Sequence, residues 1–498
     1  MQLATAAGWP AVVTVAFAGV TVGFFVWYAY LTRGGHAPFV LEATFLLALI
    51  GGPILAIVAW TMYAEYFARR SNISTVVALR WDVTSWAALA LLWIIVVAPG
   101  GMNTPGRAMA LALGAFAIAK ILVAARFNET VRDVLLTFVL TRISIVIIAE
   151  LAAITIGQRP GVHYAASENP LLAVWGRWDA EHYIGIAKNG YSGTEPAFFP
   201  LYPALIASLS QLTHNELLSG LIVSNAASFF ALLYLYKLVE HQFNRQVAHR
   251  AIFYVSIFPT AIFFSAVYTE SLFLFLSVAS FYYIRERRWL MAGLFGYFAS
   301  LTRVEGVLLA LPFLIEWLAA LAEQKNDWWK WPLDTIARPI AGIAAIPLGM
   351  ATYMAYLWVL RGDPLYFTHV QAHWGRHLAP PWVAFTHSLT IITGHHSSIV
   401  IANQLLEVTF TLLMLGVLVV GFRRLRPSYI AYMAVSILVP MSTSSLMSMP
   451  RFALVLFPMF ALFGVWGAKA NVNNAIVAFS LPLLGLFTVL FADWYWVA

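Results

Sequence analysis

The 498-residue chain contains no cysteine, and charged residues make up only 10% of it. The absence of cysteine excludes disulfide bonds, thiolate metal sites and a cysteine nucleophile. Apolar residues reach 61%, against about half in an ordinary soluble domain, so the composition excludes that class. The net charge of +7 does not indicate nucleic-acid binding, because the Lys and Arg residues lie in short segments between apolar runs.

Apolar runs of about 18 residues or more recur along the chain, as expected for helices that cross a hydrocarbon layer about 30 Å thick. We therefore predict an all-α polytopic membrane protein. The first run is too long for a signal-peptide core and no small-residue cleavage site follows it, so we expect a retained span. Helices between 251 and 322 are expected to be broken or kinked near Pro259 and near the turns "YTES" and "TRVEG". The predicted spans are 11–31, 38–66, 83–99, 108–125, 134–156, 216–237, 251–267, 270–284, 289–302, 304–322, 338–360, 398–420, 428–446, 451–467 and 473–492.

The Lys and Arg residues concentrate in alternating loops, which the positive-inside rule places in the cytoplasm. These basic loops fall within 69–80, 126–132, 245–250, 285–288, 325–330 and 423–426. The orientation requires that 197–215 be an interfacial or re-entrant helix, since a further span there would reverse every later basic loop. The polar segments 157–215 and 361–397 then face outward. We expect a multi-pass protein of a prokaryotic plasma membrane with its site on the outer face, or on the lumenal face of the endoplasmic reticulum if the chain is eukaryotic.

The segment "VWGRWDAEHYIGIAKNGY" at 174–191 gathers an unusual number of ionisable residues. Its pattern predicts a short helix over 180–188, with Asp179 at the N-cap position and Asn189–Gly190 as the stop. Asp179 has two interpretations. It can cap the helix by accepting backbone N–H bonds, or it can act as a general base for an incoming hydroxyl group. Both roles need an ionised carboxylate.

The stretch "RWDAEHYIGIAKNGY…AFFPLYP" resembles the first outer loop of the PIG-V family, the enzymes that add the second mannose to GPI precursors. More broadly it is similar to the GT-C membrane glycosyltransferases. The similarity runs over roughly residues 134 to 470 and continues through "SN" at 224–225, "FPTAIFFSAVYTESLF", "LTRVEG", "QAHWGRHLAPPW" and "MPRFALVLFP".

The resemblance implies a GT-C-like helical bundle over 126–498, with a first outer loop (about 157–215) that bears interfacial helices and a second large outer loop (about 361–397). Residues 1–125 are expected to add a four-span segment without a counterpart in the family. The resemblance further implies an inverting glycosyltransferase that passes a sugar, mannose by family likeness, from a polyprenyl-phosphate donor to a lipid-linked or membrane-surface glycan acceptor. In GT-C enzymes an acidic residue of the first outer loop is the proposed base, and that position here is Asp179.

Such a transfer needs a base for the acceptor hydroxyl and a cation for the departing phosphate. The candidates for donor binding are Arg303, Arg451, His182, Arg177 and Glu270. Arginine suits a phosphate because its fork donates two parallel hydrogen bonds, although an arginine at a helix end can instead snorkel to the membrane interface. Glu270 could hold a sugar hydroxyl or form a structural ion pair with Arg303.

Residues of the second outer loop are predicted to line the acceptor groove, because aromatic faces and planar hydrogen-bonding groups suit a sugar. These residues are Gln371, Trp374 and Arg376. His369, His373 and His377 lie four residues apart. On a helix the outer two would be about 12 Å apart along the axis, too far to share an ion. We expect no cofactor and no metal site, although one adjacent pair with a carboxylate could hold a divalent ion.

Two other classes of protein remain open. A transporter or flippase of lipid-linked glycans would share the spans, the aromatic residues and the phosphate-binding arginines. Transporters tend to show internal repeats and sites near the membrane midplane, whereas this sequence shows no convincing two-fold repeat and its polar groups crowd one side. A non-catalytic scaffold subunit is the third possibility.

Overall fold

The computed structural model describes Ser74 and residues 128–156, 170–323 and 333–497. Apart from Ser74, the predicted four-span segment 1–125 lies outside the described residues. The described chain is helical and contains no β-strand; it has an isolated bridge between Leu378 and Thr443. The helices of its first half are α1 (Glu129–Thr155), α2 (Pro170–Ala173), α3 (Asp179–Asn189), α4 (Leu201–Thr213), α5 (Glu216–Gln242), α6 (Arg245–Ser256), α7 (Glu270–Arg285) and α8 (Trp289–Ser300).

The second half continues in the same way. Its helices are α9 (Ala310–Ala322), α10 (Leu333–Arg361), α11 (Tyr366–His369), α12 (Pro381–Thr393), α13 (Ser398–Gly421), α14 (Pro427–Met441), α15 (Met449–Val455), α16 (Phe457–Trp466) and α17 (Ala470–Ala492). Short 3₁₀ turns connect several helices, at Val174–Gly176, Glu195–Ala197, Ala261–Phe264, Val304–Leu309 and Val370–Trp374.

Six of the described helical segments are long and apolar enough to cross a membrane, and a seventh is added if α15 and α16, bent by 70°, form one span. The six are Glu129–Thr155, Glu216–Gln242, Val304–Ala322, Ile336–Arg361, Ser398–Gly421 and Ala470–Ala492. The prediction of an all-α polytopic membrane protein is confirmed. Of the remaining predicted spans, 270–284, 289–302 and 428–446 correspond to shorter helices of 16, 12 and 15 residues.

The predicted span 251–267 is broken near Pro259, as expected, because α6 ends at Ser256 and the chain turns before α7 begins. The break contains Pro259, which fixes its own backbone angle and offers no N–H. Arg142 of α1 compensates for the lost helical bonds. Its guanidinium donates to the carbonyl oxygens of Ser256 (3.0 Å) and Ala261 (2.9 Å), and to Ser265 Oγ (3.1 Å). A non-helical backbone is tolerated inside a membrane bundle when its polar groups are satisfied in this way.

Two contacts show how closely the helices of the bundle pack. Tyr202 of α4 is fully buried and its hydroxyl lies 2.6 Å from Ser224 Oγ of α5, so α4 packs directly on α5. Helices α8 and α10 approach so closely that a Cβ added at Gly293 would collide with the backbone of Gly342. Small residues at such crossings allow two membrane helices to touch along their backbones.

Candidate active site

The backbone around Asp179 is held by one tyrosine. The hydroxyl of Tyr268, in the loop before α7, donates to the carbonyl oxygen of Arg177 (3.1 Å) and accepts from the N–H of Asp179 (3.2 Å). Burial raises the pKa of the Tyr268 phenol well above its usual value, so the hydroxyl stays protonated and remains a donor. Arg177 and Asp179, the residues on either side of Trp178, are therefore fixed relative to the start of α7.

Asp179 is not the N-cap that the sequence predicted. Helix α3 begins at Asp179 itself, and Trp178 occupies the N-cap position with φ 60° and ψ −123° and no side-chain capping bond. The Trp178 ring packs against Trp494 and Trp496, with centroids 5.6 and 5.5 Å away. The Asp179 carboxylate turns to another partner, since its Oδ2 accepts a hydrogen bond from Arg451 Nη1 at 2.6 Å.

Four charged side chains form a continuous chain of ion pairs at this end of the bundle. Arg451 joins Asp179 to Glu270, because its Nε donates to Glu270 Oε1 at 2.7 Å. Arg303 Nη1 donates to the same oxygen at 2.9 Å. The Glu270 side chain is completely buried, and those of Arg451 and Arg303 are 7% and 12% exposed, whereas the Asp179 side chain is 25% exposed. Asp179 is thus the accessible end of this chain, which we call the ion-pair relay.

The relay is assembled where helices begin or break. Glu270 is the first residue of α7, and Arg451 lies in the first turn of α15. Arg303 precedes the 3₁₀ turn after α8, and its Nε lies 3.4 Å from Glu305 Oε2. Relay residues that are 33 to 272 positions apart in the sequence therefore meet in space. The prediction that these turns lie on the same side of the membrane requires such a meeting.

Aromatic rings support both guanidinium groups of the relay. The Arg451 guanidinium lies over Tyr268, Phe263 and Trp496, at 4.9, 5.2 and 5.9 Å from the ring centroids. The Arg303 guanidinium lies over Phe452 at 5.3 Å and Phe273 at 5.8 Å. Such contacts attract a cation to the ring face, and the apolar surroundings strengthen its attraction for an anion.

His182 and Trp374 meet around Phe198. The His182 ring stacks on Phe198 with centroids 4.5 Å apart, and Trp374 contacts both rings edge-on, at 5.9 Å from Phe198 and 6.3 Å from His182. The segment 361–397, predicted to be the second outer loop, is therefore adjacent to α3, as a shared site requires. Gln371 is half-buried in the same 3₁₀ turn. The roles assigned to these residues in donor or acceptor binding stay predictions.

Two of the predicted arginines contact residues outside the relay. The Arg177 guanidinium is buried over the ring of Trp494 at 5.4 Å, near Glu150 and Asp493, and burial lowers its pKa to about 10. Arg376 Nη2 donates to the carbonyl oxygen of Met447 at 2.6 Å, and burial lowers its pKa as well. In this structure Arg376 therefore ties its loop to the turn before α15.

The histidines do not form a metal site in the described part of the chain, where no three His, Asp or Glu side chains are grouped to hold an ion. Helix α11 ends at His369, and a tighter 3₁₀ turn continues to Trp374. His369 Nδ1 pairs with Asp363 Oδ2 at 2.7 Å, and both side chains are partly exposed. The expectation that the site uses no metal stays a prediction.

The sequence reasoning missed two residues that shape this site, Tyr268 and Glu407. Glu407 is the one carboxylate of α13 and is buried against the turn that leads into α15. A lone carboxylate within an apolar span is itself a signal of a site. Tyr268 gave no such signal, since tyrosine is common at the ends of membrane helices.

The fold and the relay define an all-helical membrane protein with a charged site at one end of its bundle. Residues 127–319 match the family described as "Mannosyltransferase (PIG-V)". GPI mannosyltransferase 2 of Schizosaccharomyces pombe is 32% identical over 143 residues, which cover 28% of this chain and 31% of that protein. GPI alpha-1,6-mannosyltransferase 2 of Mus musculus is 30% identical over 210 residues, or 38% and 41% of the two chains. The predicted resemblance to the PIG-V family is confirmed over this segment, which contains Asp179, Glu270 and Arg303. The chain spans about a third to two fifths of the length of these relatives.

Solved structures of the Archaeoglobus fulgidus oligosaccharyltransferase resemble this chain weakly. The apo form covers 70% of this chain and 55% of its own, at 14% identity and a TM-score of 0.33. The complex with an inhibitory peptide and a dolichol-phosphate covers the same shares at 14% identity and a TM-score of 0.29. A likeness at this level carries no argument about the activity of this chain.

Proposed function

We propose that this protein is a membrane mannosyltransferase that takes mannose from a polyprenyl-phosphate donor at the outer, or lumenal, membrane face and passes it to a lipid-linked or membrane-surface glycan. The observation that carries the proposal is the ion-pair relay, because it places an accessible carboxylate, Asp179, on the buried guanidinium group of Arg451, which Glu270 joins to a second guanidinium group, that of Arg303. The match of residues 127–319 to a mannosyltransferase family supports mannose as the sugar.

The proposed reaction is a single displacement. The acceptor hydroxyl oxygen attacks the anomeric carbon of the donor mannose and forms the new glycosidic bond. The bond between that carbon and the phosphate oxygen breaks, and its electron pair leaves with the polyprenyl phosphate. The hydroxyl proton passes to the Asp179 carboxylate, which acts as the general base. Because attack and departure occur on opposite faces of the sugar, the anomeric configuration inverts.

The relay can serve both ends of this displacement. Arg451 donates to the two carboxylates from Nε and Nη1, and a guanidinium group has five N–H donors in total. A donor phosphate can therefore bind Arg451 and Arg303 through their remaining N–H groups. Its negative charge would compete with Asp179 for Arg451, and the loosened ion pair would leave the carboxylate a stronger base. Binding of the donor would thus prepare Asp179 for the acceptor.

A lipid-linked donor also suits the shape of the described bundle. Four connections between described helices at the end opposite the relay are only a few residues long, at 243–244, 286–288, 422–426 and 467–469. A nucleotide-sugar site usually needs a diphosphate cradle at a helix N-terminus or a metal held by carboxylates, and these connections offer little chain for either. A polyprenyl phosphate needs only a cation at the membrane surface for its phosphate and apolar helices for its tail.

Transfer by the purified protein in lipid nanodiscs tests the proposal. Radiolabelled polyprenyl-phosphate mannose and GDP-mannose would be supplied separately, with a lipid extract of the source membrane as acceptor. We expect label to reach the acceptor from the lipid-linked donor and not from GDP-mannose in preparations free of polyprenyl phosphate. Robust transfer from GDP-mannose would overturn the donor assignment. Movement of intact polyprenyl-phosphate mannose between leaflets of liposomes, without transfer, would instead establish the flippase alternative.

A further inference from the structure

A buried carboxylate holds the turn that leads into α15. The side chain of Glu407, 4% exposed, extends from α13 to two consecutive backbone N–H groups. Its Oε1 accepts from the N–H of Ser448 at 2.9 Å, and its Oε2 accepts from the N–H of Met449 at 2.8 Å. Burying a carboxylate is costly unless its oxygens are hydrogen-bonded, so the pairing with both N–H groups fixes the geometry of Glu407 and of the turn together.

The turn itself has an unusual backbone. Ser448 lies in the left-handed region with φ 74° and ψ 17°. A residue with a Cβ pays about 1–2 kcal/mol for this conformation, and the surrounding structure must hold it there. The N–H of Arg451 then donates to the carbonyl oxygen of Ser448 at 3.0 Å. The direction in which the Arg451 side chain projects from α15 therefore depends on the backbone conformation of Ser448, which Glu407 fixes.

The same turn is tied to the second outer loop from the other side. Arg376 Nη2 donates to the Met447 carbonyl oxygen at 2.6 Å, and Ser444 Oγ donates to the Gly375 carbonyl oxygen at 2.9 Å. The backbone of Ser444 also donates to the His377 carbonyl oxygen at 2.9 Å. The turn 442–448 thus lies between α13 and the loop that carries Trp374, and a shift of the turn would move Arg451 and that loop together.

We infer that Glu407 is a positioning residue for Arg451. By holding the N–H groups of Ser448 and Met449, it sets the first turn of α15 so that one guanidinium group reaches both Asp179 and Glu270. Glu407 acts through Arg451 and touches no reacting group. The kinetic consequences of this inference rest on the proposed function. The dependence of the Arg451 position on Glu407 does not.

The substitution Glu407→Gln tests the inference. The glutamine oxygen can accept one of the two N–H bonds, but its NH₂ group would face the other donor and displace the turn. We expect the variant to fold, the KM for polyprenyl-phosphate mannose to rise and kcat to fall, with a combined loss of about 10- to 100-fold in kcat/KM. Glu407→Asp, which keeps two acceptors on a shorter side chain, should recover part of this loss.

Glu316→Gln is the matched control. Glu316 is also a buried carboxylate, but it is bonded at the opposite end of the bundle by Arg285 (2.8 Å), Arg426 (3.2 Å) and Ser428 (2.6 Å). Its loss should lower the thermal midpoint without changing the KM for the donor. If Glu407→Gln behaves like this control, with lower stability and unchanged kinetics, Glu407 is a structural residue and the inference is wrong.

A double-mutant cycle separates the inference from the proposed function, because it can be read from thermal midpoints even if no transfer is found. If Glu407 acts through Arg451, the variant Glu407→Gln/Arg451→Gln should lose clearly less stability than the sum of the two single losses. If the double variant loses as much stability as the two single variants together, the inference is refuted, whether or not the protein is active. An inactive wild-type protein would refute the proposed function and leave the cycle as the test of Glu407.

Discussion

Asp179→Asn separates catalysis from stability at the ion-pair relay. The substitution removes one charge but keeps an oxygen that can accept from Arg451. Arg451 would still pair with Glu270 at 2.7 Å, so no buried charge is left without a partner. The lost pair joins a carboxylate that is 25% exposed to a buried guanidinium group. A hydrogen bond to a charged group contributes about 1.5–3 kcal/mol, and the amide oxygen of Asn keeps part of it. Removal of Arg451 should cost more, about 3–5 kcal/mol, since it would leave the fully buried Glu270 with a single cation.

The expected effect of Asp179→Asn on activity is larger than its effect on stability. General-base catalysis contributes about 10²–10⁴-fold to a rate, which at about 1.36 kcal/mol per factor of ten corresponds to about 2.7–5.4 kcal/mol. Initial rates of mannose transfer from polyprenyl-phosphate mannose, measured beside the thermal midpoint from intrinsic fluorescence, would give both quantities. Glu181→Gln is the control, because Glu181 lies on the same helix and is half-buried outside the relay. Its effect should be mild. If Asp179→Asn retains more than a tenth of the wild-type rate, Asp179 is not the base.

Three further predictions concern orientation, metal and donor binding. The chain has no cysteine, so single introduced cysteines report their own location. Cysteines at the exposed positions Ser192 and His396 should react with an impermeant thiol reagent from outside, and one at Glu286 should react only after permeabilisation. The reverse pattern would show that the predicted topology is inverted. Transfer should survive excess EDTA, because the relay supplies the positive charge for the leaving phosphate, and strict dependence on a divalent ion would contradict this. Arg303→Lys should raise the KM for the lipid-linked donor about tenfold and Arg303→Gln should raise it more, since each variant loses the two parallel donors of the guanidinium group. An unchanged KM in both variants would show that Arg303 does not bind the donor.

Much of the fold was predictable because it depends on local composition. Apolar length alone located the span from Ser398 to Gly421 and the span from Ala470 to Ala492 within a few residues. The break after Ser256 was expected from Pro259, but the sequence did not show that the helix would end three residues earlier. That end depends on Arg142, whose guanidinium takes up the carbonyl groups of the broken segment from a distant helix.

The site was predictable as a set of residues but not as a geometry. The charges of Asp179, Glu270, Arg303 and Arg451 were conspicuous in an apolar chain, yet no local pattern states that one guanidinium bridges the first two carboxylates. The N-cap prediction for Asp179 was wrong for a related reason. Aspartate is favoured at that position by local hydrogen bonding, whereas here a tertiary contact with Arg451 takes the carboxylate and Tyr268 holds the backbone.

The separation of the relay residues along the chain has a consequence for how the protein is made. Glu270 and Arg303 are 33 residues apart and can pair as soon as α7 and α8 are inserted, but Arg451 follows Asp179 by 272 residues. At a synthesis rate of about 5–20 residues per second, that interval lasts about 14–54 s. During this interval the nascent chain is already in contact with the lipids of its membrane, the Asp179 carboxylate is exposed, and Arg451, the cation that bridges it to Glu270, has not yet been synthesised. Under the proposed mechanism, the half-built enzyme is therefore inactive toward those lipids until α15 has been synthesised.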